Sequence, residues 1–151
     1  MINYTISVGN ENDTAAIAQF QVDMAQESEG TALDHELVLK GVAAAMADKY
    51  KGTYIVARVE GEAIGSLMLT REWSDWKNKW YWWIQSVYVK PEYRGKGAYR
   101  AMYQKIKEMA REEGIAQIRL YVDKTNYSAQ KVYQKLGMAE CHYYMYEEVL
   151  K

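Results

Sequence analysis

The amino-terminal part of the chain alternates apolar and polar residues and then changes to a helical period. The alternation in 2–8, "INYTISV", includes β-branched residues and predicts a first β-strand. Apolar residues then recur at helical spacing among good helix formers in two segments, about 13–27 and 33–49. The chain is therefore expected to begin with one strand and two α-helices.

The middle of the chain contains three runs that favour β-structure. Apolar runs at 53–59 and 63–70 flank the short polar link "EGEA", and a glycine at the second position of such a link is typical of a β-hairpin. The run 81–89, "YWWIQSVYV", is rich in strand formers and is bounded by Pro91. Between the last two runs, "WSDWKNKW" at 73–80 is interpreted as an aromatic, charged loop. Three consecutive strands are predicted.

Helices and strands alternate in the carboxyl-terminal part. Residues 98–114 carry apolar side chains at near-3.6 spacing and end at a glycine, which predicts an α-helix. A strand follows at 116–123, a shorter helix at 126–137 and final strand material at 138–149. The order β-α-α-β-β-β-α-β-α-β predicts an α/β (α+β) fold, with a mixed, mostly antiparallel sheet joined to a strand-helix-strand crossover near residue 97.

Composition is that of an ordinary globular protein and disfavours several classes of function. With 151 residues, 49% of them hydrophobic and 26% charged, we expect a single domain over 1–151. The formal net charge of -1 gives no general attraction for polyanions, so no nucleic acid partner is expected. One cysteine and two histidines exclude an intramolecular disulfide and favour no metal site. Since no segment is typical of a signal peptide or a membrane span, we expect no membrane partner and a cytoplasmic location.

The stretch "VKPEYRGKGAYR", 89–100, places a glycine-rich, basic turn between a strand and a helix. Backbone N–H groups at a helix N-terminus attract anions, and Arg94 and Lys96 add positive charge. Gly95 and Gly97 let a phosphate approach the backbone without a Cβ in the way. The turn therefore predicts a phosphate site, although a plain strand-to-helix turn with solvated cations would have the same composition. It lacks the spacing of a Walker P-loop and of GxGxxG, which disfavours ATP and dinucleotides.

Two motifs resemble the GNAT superfamily of N-acetyltransferases. The turn is similar to that superfamily's acyl-CoA pyrophosphate loop, whose pattern is Arg or Gln, two residues, Gly, one residue, and Gly or Ala. This chain matches the pattern from Arg94 to Ala98 and has Tyr99 at the last position. Downstream, "NYSAQKVYQKLGM" at 126–138 resembles the superfamily's "N..A...Y.klGF" segment, with Met138 in place of the commoner phenylalanine.

The resemblance implies a GNAT-like acyl-CoA N-acyltransferase fold, with a central sheet of six to seven strands flanked by about four helices. It also implies acetyl-CoA as cosubstrate and no metal. In such a protein the fourth strand separates from the fifth, and its backbone pairs with the pantetheine arm. The cofactor-binding residues implied for this chain are Val87, Tyr88, Val89, Arg94, Gly95, Lys96, Gly97, Ala98, Tyr99, Asn126, Ala129 and Tyr133.

Catalysis by such an enzyme requires an acid and a base. The resemblance places the Tyr133 hydroxyl near the thioester sulfur, where a phenol can donate a proton to the departing thiolate. Many family members carry a catalytic carboxylate on the fourth strand, but "YWWIQSVYV" contains none. The candidate bases are Glu72 and Asp75 before that strand, Glu27 and Glu29 at the end of the first helix, and Gln85 as the ligand of an ordered water. Each carboxylate could equally be a solvated surface charge.

All five tryptophans lie in "WSDWKNKWYWW", 73–83. Alternation sends Trp82 and Trp83 to opposite faces of the sheet, so at least one face is expected to line the acceptor cleft. Aromatic walls suit an ammonium group, and the substrate-binding candidates are Glu27, Trp73, Trp83 and Gln85. The same tryptophans could instead cover a sheet face or form a dimer contact.

The sequence thus predicts an N-acetyltransferase that moves the acetyl group of acetyl-CoA to a primary amine of a small molecule, by direct attack in a ternary complex. Two alternatives stay open, a non-catalytic acyl-CoA-binding or sensing module and a protein or peptide N-acetyltransferase. A homodimer is the default expectation if the protein assembles.

Overall fold

The structure, a computed structural model, describes residues 1–151. It contains five strands and four α-helices, together with short 3-10 turns at Glu11–Asp13 and Pro91–Tyr93. In chain order the elements are β1 (Thr5–Val8), α1 (Thr14–Glu29), α2 (His35–Ala47), β2 (Thr53–Val59), β3 (Glu62–Ser74), β4 (Lys79–Val89), α3 (Ala98–Glu113), β5 (Gln117–Leu120) and α4 (Tyr127–Lys135).

The chain forms two compact units, Met1–Tyr121 and Val122–Lys151. The first contains the whole sheet and the helices α1 to α3, and the second contains α4 and the segment that follows it. The expectation of a single domain over 1–151 stays a prediction. No helix combines the length and the apolar character that crossing a membrane would require.

The sheet has the strand order β1-β2-β3-β4-β5. The first four strands are antiparallel neighbours, whereas β5 runs parallel to β4 after the crossover through α3. The β2–β3 link has φ of 50° at Glu60 and 82° at Gly61, which is the positive φ at both central residues that a type I′ hairpin turn requires. The predicted mixed, mostly antiparallel α/β fold is confirmed.

The helices cover both faces of the sheet. On one face Ile17 of α1 and Val42 of α2 are buried against Tyr54 and Val56 of β2. Strand alternation sends Ile55 to the opposite face, where α3 packs on β2. Because each central strand is covered on both sides, its apolar run is nearly continuous, which is the pattern that the sequence displays at 53–59.

Two sequence-based expectations about strands are wrong. The sheet has five strands instead of six to seven, because residues 138–151 form neither helix nor strand. Alternation shows which faces a segment would present, but a strand exists only where a neighbour completes its hydrogen bonds. In addition, half of "WSDWKNKW" is strand, since β3 continues to Ser74 and β4 begins at Lys79, which leaves a turn at 75–78.

Candidate functional site

The glycine turn leads from β4 into α3 and has the geometry of an anion cradle. Gly95 and Gly97 have φ of 71° and 86°, in the left-handed region that favours glycine, and a Cβ on either residue would face open space. No side chain caps the start of α3, and the first intrahelical hydrogen bond runs from the Ala101 N–H to the Gly97 oxygen. The positive end of the helix dipole is thus accessible to a ligand.

Three side chains fix the shape of this turn, one from the segment before β1 and two from the turn itself. The Tyr4 hydroxyl, just before β1, donates a 2.9 Å hydrogen bond to the Lys96 carbonyl oxygen. The Lys96 ammonium donates to the Glu92 carbonyl oxygen at 2.8 Å. The Arg94 Nε donates to the Val89 carbonyl oxygen, also at 2.8 Å. These bonds hold the turn to its flanking segments, and of its amide groups the Arg94 N–H donates to the Pro91 carbonyl oxygen at 3.2 Å.

Arg94 also meets a carboxylate from the first helix. Its Nη2 lies 2.7 Å from Oε2 of Glu27, and its guanidinium lies over the Tyr88 ring, 5.3 Å from the centroid. The buried Tyr88 stacks on Phe20 of α1, and its hydroxyl donates to Oε1 of Glu27 at 3.4 Å. Burial, followed by the charges of Glu27 and Asp23, raises the pKa of Tyr88, so the hydroxyl remains a donor. The structure thus brings three predicted site residues together.

Strand β4 continues beyond its last pair with β5. The parallel pairing ends where Ile84 faces Leu120, whereas β4 extends to Val89. A β-bulge interrupts the β3–β4 ladder at this level, and Ser86 within it has φ of 55°. Residues 85–89 therefore have a strand neighbour on the β3 side alone, which is the separation of the fourth and fifth strands that the family resemblance implies.

One face of the sheet carries a cluster of aromatic and charged side chains. The Trp83 Nε1 donates a 2.8 Å hydrogen bond to Oε1 of Glu72, and the Arg119 Nη1 lies 3.3 and 3.4 Å from the two Glu72 oxygens. The Arg119 guanidinium lies 4.3 Å from the Tyr81 ring centroid. The place of an ammonium on this aromatic wall is thus occupied by the protein's own guanidinium, and both Glu72 oxygens already accept hydrogen bonds.

Of the other predicted acceptor-side residues, Gln85 lies on the same face of the sheet as this cluster, whereas Trp73, the strand neighbour of Glu72, lies on the opposite face. Gln85 donates from Nε2 to the Thr70 hydroxyl at 3.2 Å. Trp73 pairs edge-on with Trp80 across the β3–β4 ladder, with ring centroids 4.9 Å apart. Asp75 lies exposed in the turn at the tip of the hairpin and has no ion pair or hydrogen bond. Of the two first-choice carboxylates, Glu72 alone lies within a folded cluster of side chains.

The second unit holds the other motif. Asn126 is the N-cap of α4, and its Oδ1 accepts from the Ala129 N–H at 3.2 Å. Tyr133 lies on the last turns of α4 and is partly buried. Burial raises the pKa of its hydroxyl, so the phenol carries its proton throughout the neutral range.

Sequence reasoning missed Arg119 and Tyr4. Arg119 is a basic residue in the middle of a four-residue strand, "QIRL", and an isolated charge inside a predicted strand is a signal that could have marked it. Tyr4 carries no such signal, because its contact with Lys96 joins residues 92 positions apart. No group of three or more His, Cys, Asp and Glu side chains is arranged to hold a metal ion.

Comparison with known proteins decides the family. The model of the Acetyltransferase (GNAT) family matches residues 14–138, a segment that contains both motifs. The chain belongs to the GNAT acetyltransferase family. The resemblance inferred from the two motifs is therefore confirmed.

Similar proteins extend this result. The bovine (Bos taurus) protein Thialysine N-epsilon-acetyltransferase is 38% identical over 65 residues, which are 43% of this chain and 38% of that protein. An Archaeoglobus fulgidus protein named Uncharacterized N-acetyltransferase is 33% identical over 84 residues, 55% of this chain and 57% of that protein. The chain thus spans less than two thirds of the length of these curated relatives. Both of these relatives are named as N-acetyltransferases.

Solved structures agree on the fold. The crystal structure of a possible acetyltransferase from Clostridium difficile 630 superposes with a TM-score of 0.91 at 40% identity, covering 100% of this chain and 99% of that one. A ribosomal-protein-alanine N-acetyltransferase from Brucella melitensis biovar Abortus 2308 has a TM-score of 0.81 at 17% identity, covering 99% of this chain and 100% of that one. The second similarity concerns the fold alone.

Proposed function

We propose that this GNAT protein transfers the acetyl group of acetyl-CoA to a primary amine of a small molecule. The observation that carries the proposal is the glycine turn at the start of α3, in which two left-handed glycines open onto an uncapped helix N-terminus. Membership of the family supports the same chemistry.

The residues of the first unit fit acetyl-CoA. The turn from Arg94 to Tyr99 would bind the pyrophosphate through backbone N–H groups. Gly95 and Gly97 have no Cβ that would project toward the ligand, so the backbone is open to it. The backbone of Val87, Tyr88 and Val89 would pair with the extended pantetheine arm, since β5 leaves that side of β4 without a partner strand. The Val89 carbonyl already accepts from Arg94, so its N–H and the groups of Val87 are the more available partners.

Acetyl-CoA supplies an acyl group activated as a thioester. In the proposed reaction the amine nitrogen forms a bond to the thioester carbonyl carbon and the carbon–sulfur bond breaks, so one proton leaves the amine and one is taken up by the thiolate. Tyr133 would donate that second proton, for which a phenol that stays protonated at neutral pH is suited. Asn126 and Ala129, which belong to the second motif, would contact acetyl-CoA at the N-terminus of α4.

An alkylamine is mostly protonated at neutral pH, so the ammonium must first lose an additional proton to an acceptor before its nitrogen can attack. We propose Glu72 for this role, since it is a half-buried carboxylate on the aromatic face with Trp83. Trp83 and Arg119 use three of its roughly four lone-pair sites, two on Oε1 and one on Oε2, so the proton would bind at Oε2. Asp75 is the second candidate and would act from the hairpin tip.

The acceptor is proposed to be small. The name of the bovine relative, thialysine N-epsilon-acetyltransferase, supports an amine acceptor and makes thialysine the first compound to test. Trp83 and Gln85 would line the acceptor side, whereas the predicted Trp73 lies on the opposite face of the sheet. A homodimer in the cytoplasm is proposed for assembly and location. The absence of Asp and Glu from β4 favours one second candidate, a module that binds acyl-CoA without catalysis.

A thermal-shift titration with acetyl-CoA, free CoA and ATP tests the proposal, on wild type and on an Arg94→Ala, Gly97→Trp double variant. A ligand at one hundred times its Kd should stabilise wild type by about 2.7 kcal/mol, or several degrees. We expect CoA species to shift wild type, the variant to lose the shift, and ATP to have no effect. The melting temperature of the variant without ligand shows whether it folds, and Arg94→Ala alone serves if it does not.

The absence of a shift with either CoA species in wild type would contradict acyl-CoA binding. Where binding is established, an amine panel with thialysine, other small amines and peptides separates the activities. Turnover of small amines supports the proposal, turnover of peptides alone supports a protein N-acetyltransferase, and binding without any turnover supports the non-catalytic module.

A further inference from the structure

We propose that Glu27 is a positioning residue for the acyl-CoA site. Its carboxylate would hold Arg94 in the binding conformation before the ligand arrives. The inference rests on the proposed function, since it concerns the same glycine turn. Sequence reasoning placed Glu27 on the acceptor side, but its contacts are with Arg94 and Tyr88. It would therefore act through Arg94 and not on the amine.

The guanidinium of Arg94 is fixed at three points. Nε donates to the Val89 carbonyl oxygen at 2.8 Å, Nη2 lies 2.7 Å from the Glu27 carboxylate, and the planar group lies over the Tyr88 ring. A guanidinium has five N–H donors, of which these hydrogen bonds use two. The remaining donors thus keep a defined direction at the first residue of the turn.

The Glu27 carboxylate is itself held in place. Its second oxygen accepts from the hydroxyl of the buried Tyr88, whose ring stacks on Phe20 with centroids 5.3 Å apart. Glu27 lies one helical turn before the end of α1, which stops at Gly30 in the left-handed conformation. The position of Arg94 is therefore set by the packing of α1 on β4 and not by the turn alone.

Two effects of the Glu27 charge oppose each other. A carboxylate near the turn repels a phosphate, but the ion pair is about half exposed, with side-chain exposures of 47% and 43%, and solvent screens such charges. A long side chain that is ordered in advance spares the ligand the entropic cost of ordering it, which corresponds to about three- to tenfold in affinity. The ordering effect is the larger one, so loss of Glu27 should weaken binding.

Isothermal titration with coenzyme A tests the inference on the full chain. The variants are Glu27→Ala, which removes the hydrogen-bond acceptor, and Glu27→Gln, which keeps an oxygen at the same reach but removes the charge. Both are measured alone and with Arg94→Ala. Glu36→Ala is the matched control, because Glu36 is an exposed helical carboxylate paired with Lys40 at 3.5 Å.

We expect Glu27→Ala to raise the Kd for coenzyme A about three- to tenfold, Glu27→Gln to restore it to within about twofold of wild type, and Glu36→Ala to leave it unchanged. With Arg94→Ala, the Glu27→Ala substitution should have no further effect, since the residue acts through Arg94.

Several results would overturn the inference. Unchanged or tighter binding by Glu27→Ala would mean that repulsion equals or exceeds the ordering effect. The same weakening in Glu27→Gln, or in the Arg94→Ala background, would mean that the hydrogen bond to Arg94 is not the cause. A wild type that fails to bind coenzyme A is a different outcome, because it contradicts the proposed function itself.

Discussion

The carboxylate of Asp13 accepts a 2.7 Å hydrogen bond from the guanidinium of Arg58, which lies 45 residues later in the chain. The same Asp13 oxygen accepts from the Asn10 N–H at 3.0 Å, in the capping box that precedes α1. Asp13 is 5% exposed and the Arg58 side chain 20%. This buried pair fixes the start of α1 to strand β2, and with it the helix that carries Glu27.

Replacement of Asp13 by alanine should destabilise the fold. The variant leaves the guanidinium of Arg58 without its partner in a poorly solvated place, so we expect a loss of about 1.5–3 kcal/mol in the free energy of unfolding. Urea unfolding measures the loss. The control is Glu62→Ala, which breaks the more exposed ion pair with Lys90 and should cost at most about 1 kcal/mol. Equal losses in the two variants would contradict a buried role for Asp13.

The Asp13–Arg58 pair should make the stability of the fold depend on pH. Burial alone would raise the pKa of Asp13, but the hydrogen bonds from Arg58 and the Asn10 N–H, with the charge of Arg58, outweigh it and hold the pKa below its ordinary value. Folding thus favours the carboxylate. Its contribution is fully present above the unfolded-chain pKa of about 3.9 and is lost as the pH falls through the folded pKa.

We therefore expect the difference in Tm between wild type and Asp13→Asn to be constant near neutral pH and to narrow below about pH 4. The pKa values of Asp48 and Asp123 are also lowered, by hydrogen bonds from Lys51 and Thr125 respectively, but both groups titrate in the two proteins and cancel in the difference. A difference that stays constant down to about pH 2.5 would show that Asp13 does not carry this dependence.

Replacement of two glycines by alanine should change the free energy of unfolding in opposite directions. A Cβ on Gly65 would lie 2.8 Å from the Tyr88 carbonyl oxygen, so Gly65→Ala must push β4 away and should cost about 1–3 kcal/mol. Gly41 lies exposed in α2 with nothing within 4 Å of its Cβ position, so Gly41→Ala should stabilise the protein by about 0.5–1 kcal/mol. Urea unfolding compares the two. A stabilising Gly65→Ala would mean that the close contact between β3 and β4 is absent in solution.

The Glu72→Gln variant tests whether the Glu72 carboxylate accepts the proton of the amine or only orients its neighbours. If Glu72 is the base, kcat/KM for the amine should fall about 100-fold, and the loss should shrink as the pH approaches the amine's own pKa, where the amine reaches the enzyme already deprotonated. We expect this result, measured over the pH range in which the wild type is active, with Asp75→Asn testing the second candidate in parallel. A loss that is the same at every pH would show that the carboxylate only orients Trp83 and Arg119.

Tyr133→Phe tests the proton donor. We expect kcat to fall about 100-fold while the Kd for coenzyme A changes less than about twofold, because the substitution removes a hydroxyl and keeps the ring. Since burial raises the pKa of Tyr133, wild-type kcat should show no decline from its deprotonation below about pH 10. An unchanged kcat would mean that the thiolate leaves without the phenol.

Local chemistry explains what the sequence predicted well. The link at Glu60 and Gly61 and the glycine turn at 95–97 both depend on neighbours a few positions away, so their residue types were sufficient to place them. The two motifs were sufficient for the family because they combine such local features at a fixed separation.

Contacts between distant residues could not be predicted in this way. Glu27 meets Arg94 over a separation of 67 positions and Glu72 meets Arg119 over 47. The sequence marks Arg94 by its motif and could have marked Arg119 by its place in a strand, but it does not show which carboxylate either residue would meet. The strand expected at 138–149 failed for a related reason, since its alternation contains no information about which strand would pair with it.

The bulge at Ser86 has a consequence for self-association. An unpaired strand edge is normally a template for other polypeptide chains and hence a risk of aggregation. Here the left-handed residue interrupts the regular spacing of N–H and C=O groups along 85–89, so a long strand cannot form a continuous ladder on that side of β4. A short, flexible ligand needs only a few of these groups. The same irregularity can therefore admit a cosubstrate and exclude a neighbouring protein chain.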